Sequence, residues 1–416
     1  MRSAVDAILR FNRGFDPASL VLKREKMSAS SFAFFRGTFH LFASDLTAGP
    51  FRKWPVAEAV GPIIGDLHTE NFGTFRSVTG EVVYDINDFD ETTSAPYEFD
   101  LRRMATALVL ASLDASHAFG HGVLLAETFV RTYLDALHRL GRLKHRREFE
   151  RLPDRHDVRK TLALASEQSR VEMMRRLAAE STRGRFVLQR VPRHLKPAGR
   201  EVAAAVAAAF PQYIENCKVR AARGKRRYRI EDVAFRFAGC GSLGRRRYAL
   251  LLSKGEGEAS WETLRLVEWK DSLDSALGAQ RPQWSRGRAK QVIENTLAFQ
   301  LHPKRYLGYT RLAKAPVQGR EIGANDARFP HREFTAFERF EKAAAIFGEI
   351  TARAHLLATI GKSGPRALLG EIAGHEDRFV HRVLAFAAAY AGQTMDDFHE
   401  FQSRRAEIEK AWKSSS

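Results

Sequence analysis

The 416-residue sequence predicts an α+β protein of two lobes, one large and helical, the other smaller and rich in β-strand. Three observations point there. The length exceeds that at which a single hydrophobic core stops growing. Apolar residues recur at helical spacing from Leu101 to about Leu137, and again at Phe337, Phe340, Ala344, Phe347, Ile350, Ala354 and Leu357. Between those regions, from Tyr228 to Ser272, apolar and polar residues alternate around glycine turns and read as three strands. The expected division is a helical unit over 1–227, a β-rich lobe over 228–328, and C-terminal helices over 329–416 that complete the helical lobe.

Taken in order, "SSFAFFRGTFHLFASDL" sets Phe32, Phe35, Phe39 and Phe42 three and four residues apart, which predicts one helix with a buried aromatic face. "IIGDLHTENFGTF" follows as a polar loop between apolar flanks. "EVVYDINDFD" starts as a strand and ends in acids, delivering Asp85, Asp88 and Asp90 to a loop. A basic, mostly helical stretch runs on to Arg226. After the three strands come a helix at "RAKQVIENTLAFQ", strands at "YLGYTRL" and around Arg320–Ile322, and the helix ending "ARAHLLA". "FHEFQSRRAEIEKAWKSSS" closes the chain as an amphipathic helix with a frayed tail.

Composition narrows the classes. Hydrophobic residues at 44% and charged residues at 28% describe a chain that folds. Lys and Arg outnumber Asp and Glu by 67 to 49, a net charge of +18, so the surface draws anions: nucleotides, phosphorylated compounds, nucleic acid or anionic lipid. Two cysteines, Cys217 and Cys240, make neither a disulfide framework nor a metal-binding spacing, and fit a reducing compartment. The start lacks a signal-peptide pattern and no apolar run reaches membrane-spanning length, so a cytoplasmic location is expected.

Gly239-Cys240-Gly241-Ser242-Leu243-Gly244 forms a G-x-G-x-x-G after a predicted strand, but "RRRYALLL" continues as strand where a dinucleotide fold needs a helix. That context fits a hairpin lid over phosphates, and equally an ordinary glycine hairpin. Lys270 in "LRLVEWKDS" is placed to reach phosphates from a neighbouring strand, with the plainer alternative of a solvated strand end. Glu294 is the candidate helix carboxylate to hold it, although Lys290 four residues earlier explains Glu294 as an exposed pair. Asp66, Asn71 and Asp88 supply two carboxylates and an amide oxygen, the hard donors Mg²⁺ takes alongside phosphates, while one carboxylate remains to accept a hydroxyl proton. Asp85 and Asp90 compete with Asp88, and spacing does not rank them. His68 reads as a loop brace. Asp100 reads as a helix cap or a support for the site.

At these residues a resemblance emerges. "GDLHTENFG" resembles the catalytic loop of aminoglycoside and choline kinase-like phosphotransferases, and "NDFDETTSAPYEFDL" is similar to their metal-binding and loop-bracing segments. Over most of its length the chain is similar to the bacterial domain of unknown function 2252 family, grouped with kinase-like folds. The resemblance implies a bilobal protein-kinase-like fold, ATP and Mg²⁺ as cofactors, and an unknown small-molecule or protein acceptor. Asp66 is then the base, Asn71 and Asp88 hold metal, and Asp100 braces the loop. Gly239, Gly241, Ser242, Gly244, Lys270 and Glu294 serve the nucleotide, with His68 and Asp90 in support. The glycine loop and lysine come after the catalytic loop instead of before it, which implies a circular permutation. Ile64 stands where a His often begins the loop, and Arg245, Arg246 and Arg247 crowd the glycine turn; a solvated charged strand is the commoner reading of such a run.

Two other classes compete. "GDLH" also resembles the first metal motif of metallophosphoesterases, but the later histidine motifs are missing and "AGHED" near His375 is a poor match. A pseudokinase or basic polyanion-binding module is the non-enzymatic alternative; "LKHRREFERLPDRHDVRK" and "VRAARGKRRYRI" are basic enough but lack stacking aromatics, so nucleic acid is not favoured.

Overall fold

A computed structural model of the chain describes residues 3–150, 159–181, 184–190, 194–217, 228–241, 243–255, 257–278 and 282–413. The fold is α+β. Its N-terminal helices are α1 (Ala4–Phe11), α2 (Pro17–Met27), α3 (Ser31–Gly37) and α4 (Phe39–Thr47). The aromatic stretch expected as one helix is therefore two, because Thr38 leaves helical geometry at φ −128° and its hydroxyl donates to the Phe34 carbonyl at 2.8 Å. Phe32, Phe35, Phe39 and Phe42 are still all buried in the main core, as their spacing predicts.

Strand β1 (Val60–Ile63) pairs antiparallel with β4 (Thr93–Pro96), and the hairpin β2 (Phe72–Arg76)–β3 (Val82–Ile86) lies between them in sequence. Helix α5 (Glu98–Asp114) follows and is buried on nearly every side, as a central helix must be. Against it pack α6 (Phe119–Leu140) and α14 (Glu376–Ser403), and α12 (Phe337–Ala358) packs in turn on α6, with the short α7 (Arg146–Glu150) and α13 (Arg366–Ile372) at the margin. Gly348 lets α12 approach α6: a Cβ there would lie 2.5 Å from the Phe129 carbonyl oxygen. The terminal segment expected as one helix breaks at Arg404, and α15 (Arg405–Lys413) turns back onto α1 and α2.

The second core surrounds a six-stranded antiparallel sheet. Its strands are β7 (Leu195–Pro197), β8 (Tyr228–Arg236), β9 (Arg247–Lys254), β10 (Leu264–Asp271), β11 (Gly308–Leu312) and β12 (Ala315–Glu321), in the order β11-β12-β10-β9-β8-β7. Helix α11 (Arg288–Phe299) connects β10 to β11 and packs against β11, β12 and α12. The three expected strands after Tyr228, the helix, and the two strands beyond it are all present. The sheet's core also takes in residues upstream of Tyr228. Val267 and Trp269 of β10 face α10 (Gly199–Glu215) through Phe210 and Tyr213. Leu264 and Leu266 face the opposite side, where α9 (Arg170–Leu177) and the hairpin β5 (Ala178–Glu180)–β6 (Phe186–Leu188) cover them after α8 (Arg159–Ser166). Lys270 shares that second face by strand alternation. The halves join where β13 (Ala327–Arg328) pairs with β2 and Phe329 donates its N–H to the Phe72 carbonyl at 2.9 Å.

Candidate active site

The loop from Ile63 to Asn71 is held from below by one buried carboxylate. Asp100, in the first turn of α5, accepts the backbone N–H groups of Ile64 at 2.7 Å and Gly65 at 2.8 Å. His355 Nε2 lies 3.0 Å from the same carboxylate and its Nδ1 lies 2.9 Å from the Tyr133 hydroxyl. Asp100 thus supports the loop and is not spent on a helix cap. Gly65 has φ +92°, and a Cβ there would meet the Glu91 carbonyl oxygen at 2.5 Å, so glycine is required at this turn.

Asp66 rises from that turn against Arg103 of α5, which donates to Asp66 Oδ1 through Nε at 3.0 Å and Nη2 at 2.8 Å. Arg103 is itself buried against the Phe35 ring, 3.4 Å from its centroid. Burial raises the Asp66 carboxyl more than Arg103 lowers it, and Glu91 and Asp88 add their repulsion, so it is pushed up to about 6. Asn71 donates its amide N–H to the Asp66 carbonyl at 2.9 Å, leaving its oxygen for other partners. His68 is buried beside the loop with its Nδ1 unpartnered; burial, then Arg36, Arg103, Arg328 and His331, hold its imidazole well below the usual value. Its ring meets the Phe32 ring edge-on, with 6.3 Å between centroids.

The β2–β3 hairpin separates the three competing acids. Asp85 turns away: Oδ1 accepts the Ile86 N–H at 2.9 Å and Oδ2 lies 3.2 Å from Arg353. Asp88 and Asp90 reach Lys270 of β10, Asp90 in direct contact and Asp88 at 3.8 Å. Asp90 also accepts from Gln318 at 2.6 Å. Burial opposes ionisation of Asp88, but Lys270, Arg320 and Arg247 outweigh it and hold its carboxyl well below the usual range. Lys270 is buried and lowered by that burial, with Asp88 and Asp90 opposing the shift.

Glu294 does not join this group. It lies on the exposed face of α11 and pairs at 3.8 Å with Lys290, itself half exposed; the face of α11 nearer Lys270 carries Val292, Ile293 and Thr296. The lysine partner assigned from sequence is therefore replaced by Asp90. The arginine run also departs from the solvated reading at two of its three positions. Arg245 is buried against Glu91 and Asp90, and Arg247 is buried 3.1 Å from Glu268, while Arg246 stays partly exposed against Asp271.

The β8–β9 turn brings Gly239 (φ +83°) and Gly244 (φ +102°) into left-handed geometry. It lies on the N-terminal helices. Lys26 Nζ donates to the Gly239 carbonyl at 2.8 Å, and Lys23 Nζ to Asn12 Oδ1 at 2.8 Å and to the Gly241 carbonyl at 3.4 Å. A Cβ on Gly241 would sit 2.8 Å from the Arg36 carbonyl oxygen. Cys240 is buried, its thiol raised by burial and 3.5 Å from the Ala33 carbonyl, an inert packing residue. Ser242 lies outside the described residues, as do 151–158 and 218–227 within the two basic segments.

One pocket is bounded by Asp66, Asn71, Asp88, Asp90, Gly239 and Gly241. A second, behind Asp88 and Asp90, is bounded by Lys270, Glu268, Gln318 and the inner face of α11. Sequence reasoning missed Arg103 and Lys23, because buried Arg and Lys look like surface residues until their partners are known. Among the described residues, no group of three or more His, Cys, Asp and Glu side chains is placed to hold a metal ion, and no helix is long and apolar enough to cross a membrane.

Fold and site define a class: a two-lobed α+β protein whose cleft gathers acids and an amide beside a glycine hairpin, with a buried lysine reaching two of the acids from behind. The chain belongs to the DUF2252 family, described as an uncharacterized protein conserved in bacteria, whose model matches residues 13–404. Comparison with curated proteins and with solved structures gives no match.

Proposed function

We propose that the protein is an ATP- and Mg²⁺-dependent phosphotransferase of kinase-like, circularly permuted fold. The observation that carries this reading is the meeting of Lys270 with Asp88 and Asp90, about 180 residues away: the two acids line the cleft together with Asp66, Asn71 and the glycine turn, and Lys270 reaches them from the adjoining pocket behind. The order β8-β9-β10-β12-β11, with a helix after the lysine strand, supports it: a glycine hairpin, then a lysine strand, then a helix is the sequence of parts a kinase nucleotide lobe uses. Permutation is supported by the end of α12. His355 touches Asp100 beneath the loop, so an unpermuted chain would run from α12 directly into β1.

The donor set fits Mg²⁺. That ion is bound through one or two carboxylates with phosphates and water completing the shell, so a three-carboxylate cage is not required. Asp88 stays ionised and Asn71 has its amide oxygen available, and these two would hold it. When bound, Mg²⁺ neutralises phosphate charge. Asp66 accepts the proton of the acceptor hydroxyl, with Arg103 fixing its orientation. Lys270 exchanges Asp90 for phosphate oxygens, and Gly241 gives the hairpin backbone close access to them.

The test is thermal stability with ATP and Mg²⁺ for the wild type, Asp88→Ala and Lys270→Ala. A ligand at about a hundred times its Kd raises stability by roughly 2.7 kcal/mol. Mg²⁺-dependent stabilisation confined to the wild type is the expected result; none in any protein refutes the proposal. Label placed on the α- or the γ-phosphate then separates nucleotidyl from phosphoryl transfer.

A further inference from the structure

The pocket containing Asp66 does not end at the catalytic loop. Arg36, Glu70 and Arg328 line it and also line a second, more open groove between α3 and the segment from Arg328 to Glu333, so they form the sill between the two. At that sill one carboxylate faces two guanidiniums. Glu70 lies 2.7 Å from Arg36 and 3.5 Å from Arg328, with His331 Nδ1 at 3.9 Å.

The two arginines are held differently. Arg36 is mostly buried beside the Phe32 ring and has an Nε with no protein partner. Arg328 is half exposed, at 49%, and its contact with Glu70 is at the limit of a hydrogen bond, so it can turn to a ligand without losing much. Elsewhere on the lining of this pocket Arg245 pairs with Glu91 and Asp66 with Arg103, while Asp88 and Asp90 share Lys270, which reaches them from behind. At the sill itself two guanidiniums face one carboxylate, so the local balance there is positive.

Resting on the phosphotransferase reading, we infer that the acceptor is a hydroxyl compound bearing an oxyanion, a phosphate or carboxylate, which Arg36 and Arg328 hold while its hydroxyl reaches Asp66. Guanidinium forks suit such groups because two N–H donors meet two oxygens at once. A cationic acceptor would meet two like charges on its way in.

The experiment titrates inorganic phosphate calorimetrically into the full chain and into Arg36→Ala, Arg328→Ala and Lys270→Ala, with ethanolamine as the cationic comparison. Phosphate binding weakened by about tenfold or more in both arginine variants and by less in Lys270→Ala, with no binding of ethanolamine, is the expected pattern. Should Arg36→Ala fail to fold, the half-exposed Arg328→Ala carries the comparison. No phosphate binding by the wild type, or loss confined to Lys270→Ala, overturns the inference. Thermal stabilisation by ATP and Mg²⁺ on the same samples separates the two levels. Its absence removes the phosphotransferase reading, whereas its presence without arginine-dependent phosphate binding removes the acceptor assignment alone.

Discussion

Asp66 and Asp100 stand 34 positions apart and are prepared for opposite tasks by their surroundings. Asp66 carries one arginine and is pushed up to about 6, so it is mostly ionised at neutral pH yet takes a proton readily. Turnover should therefore fall about tenfold per pH unit below about 6, and Asp66→Asn should lose about a hundredfold or more and flatten that limb. Stability moves the other way. The native residue binds its proton more tightly than the unfolded chain does, so its contribution is present below 3.8 and is lost as pH rises through about 6. Denaturation midpoints of wild type and Asp66→Asn across that window measure the difference; parallel curves would remove the assignment. Asp100 is fully buried and its acceptors serve two loop N–H groups and His355. Asp100→Ala should cost about 3 kcal/mol in urea unfolding, since it strands those donors away from water. Both acids were legible because they sit in motifs whose other residues are visible in the sequence. Arg103 was not: both arginines of "LRRMATALVL" are buried, and nothing in the stretch tells which of them meets Asp66. Glu294 was misread for the converse reason, a correct helix whose rotation about its axis the sequence left open.

The glycine hairpin depends on elements the motif does not contain. Its strands and turn were legible from alternation and glycine spacing, but its seat on α2 and α3 was not, because nothing in the α2 stretch marks Lys23 or Lys26 as a partner of carbonyls more than 200 residues away. Gly241→Ala tests that seat. The new methyl meets the Arg36 carbonyl at 2.8 Å, and backbone cannot yield as a side chain would, so the hairpin must lift. Nucleotide affinity should drop about tenfold while the helical half keeps its unfolding midpoint. Unchanged affinity would mean that the hairpin does not cover the nucleotide. Lys26→Ala should act in the same direction but more weakly, because it frees only the Gly239 carbonyl, which water can satisfy. The broken helices were missed for a local reason as well. Apolar spacing runs through Thr38 and Arg404 without interruption, and only backbone geometry at those residues reveals the breaks.

Across the whole molecule the net charge of +18 sets two kinds of anion binding against each other. A long polyanion contacts many exposed Lys and Arg residues at once, releases counterions, and loses affinity steeply with salt, about 10³–10⁵-fold between roughly 50 and 200 mM for several phosphate contacts. A nucleotide in the cleft meets a few buried charges already fixed by partners, where screening is weaker, so its affinity should change by about tenfold or less over the same range. Composition announced the first kind of binding. The second needed the convergence of residues 66, 88, 241 and 270, which no window of sequence contains. Measuring single-stranded DNA and ATP with Mg²⁺ side by side, in wild type and Lys270→Ala, decides between them. The cleft reading requires that nucleotide binding survive salt and fail in the variant, while DNA retention fails in salt and ignores the variant. If both ligands weaken together with salt and neither responds to Lys270, the charge of the surface explains all the binding, and the cleft is no nucleotide site.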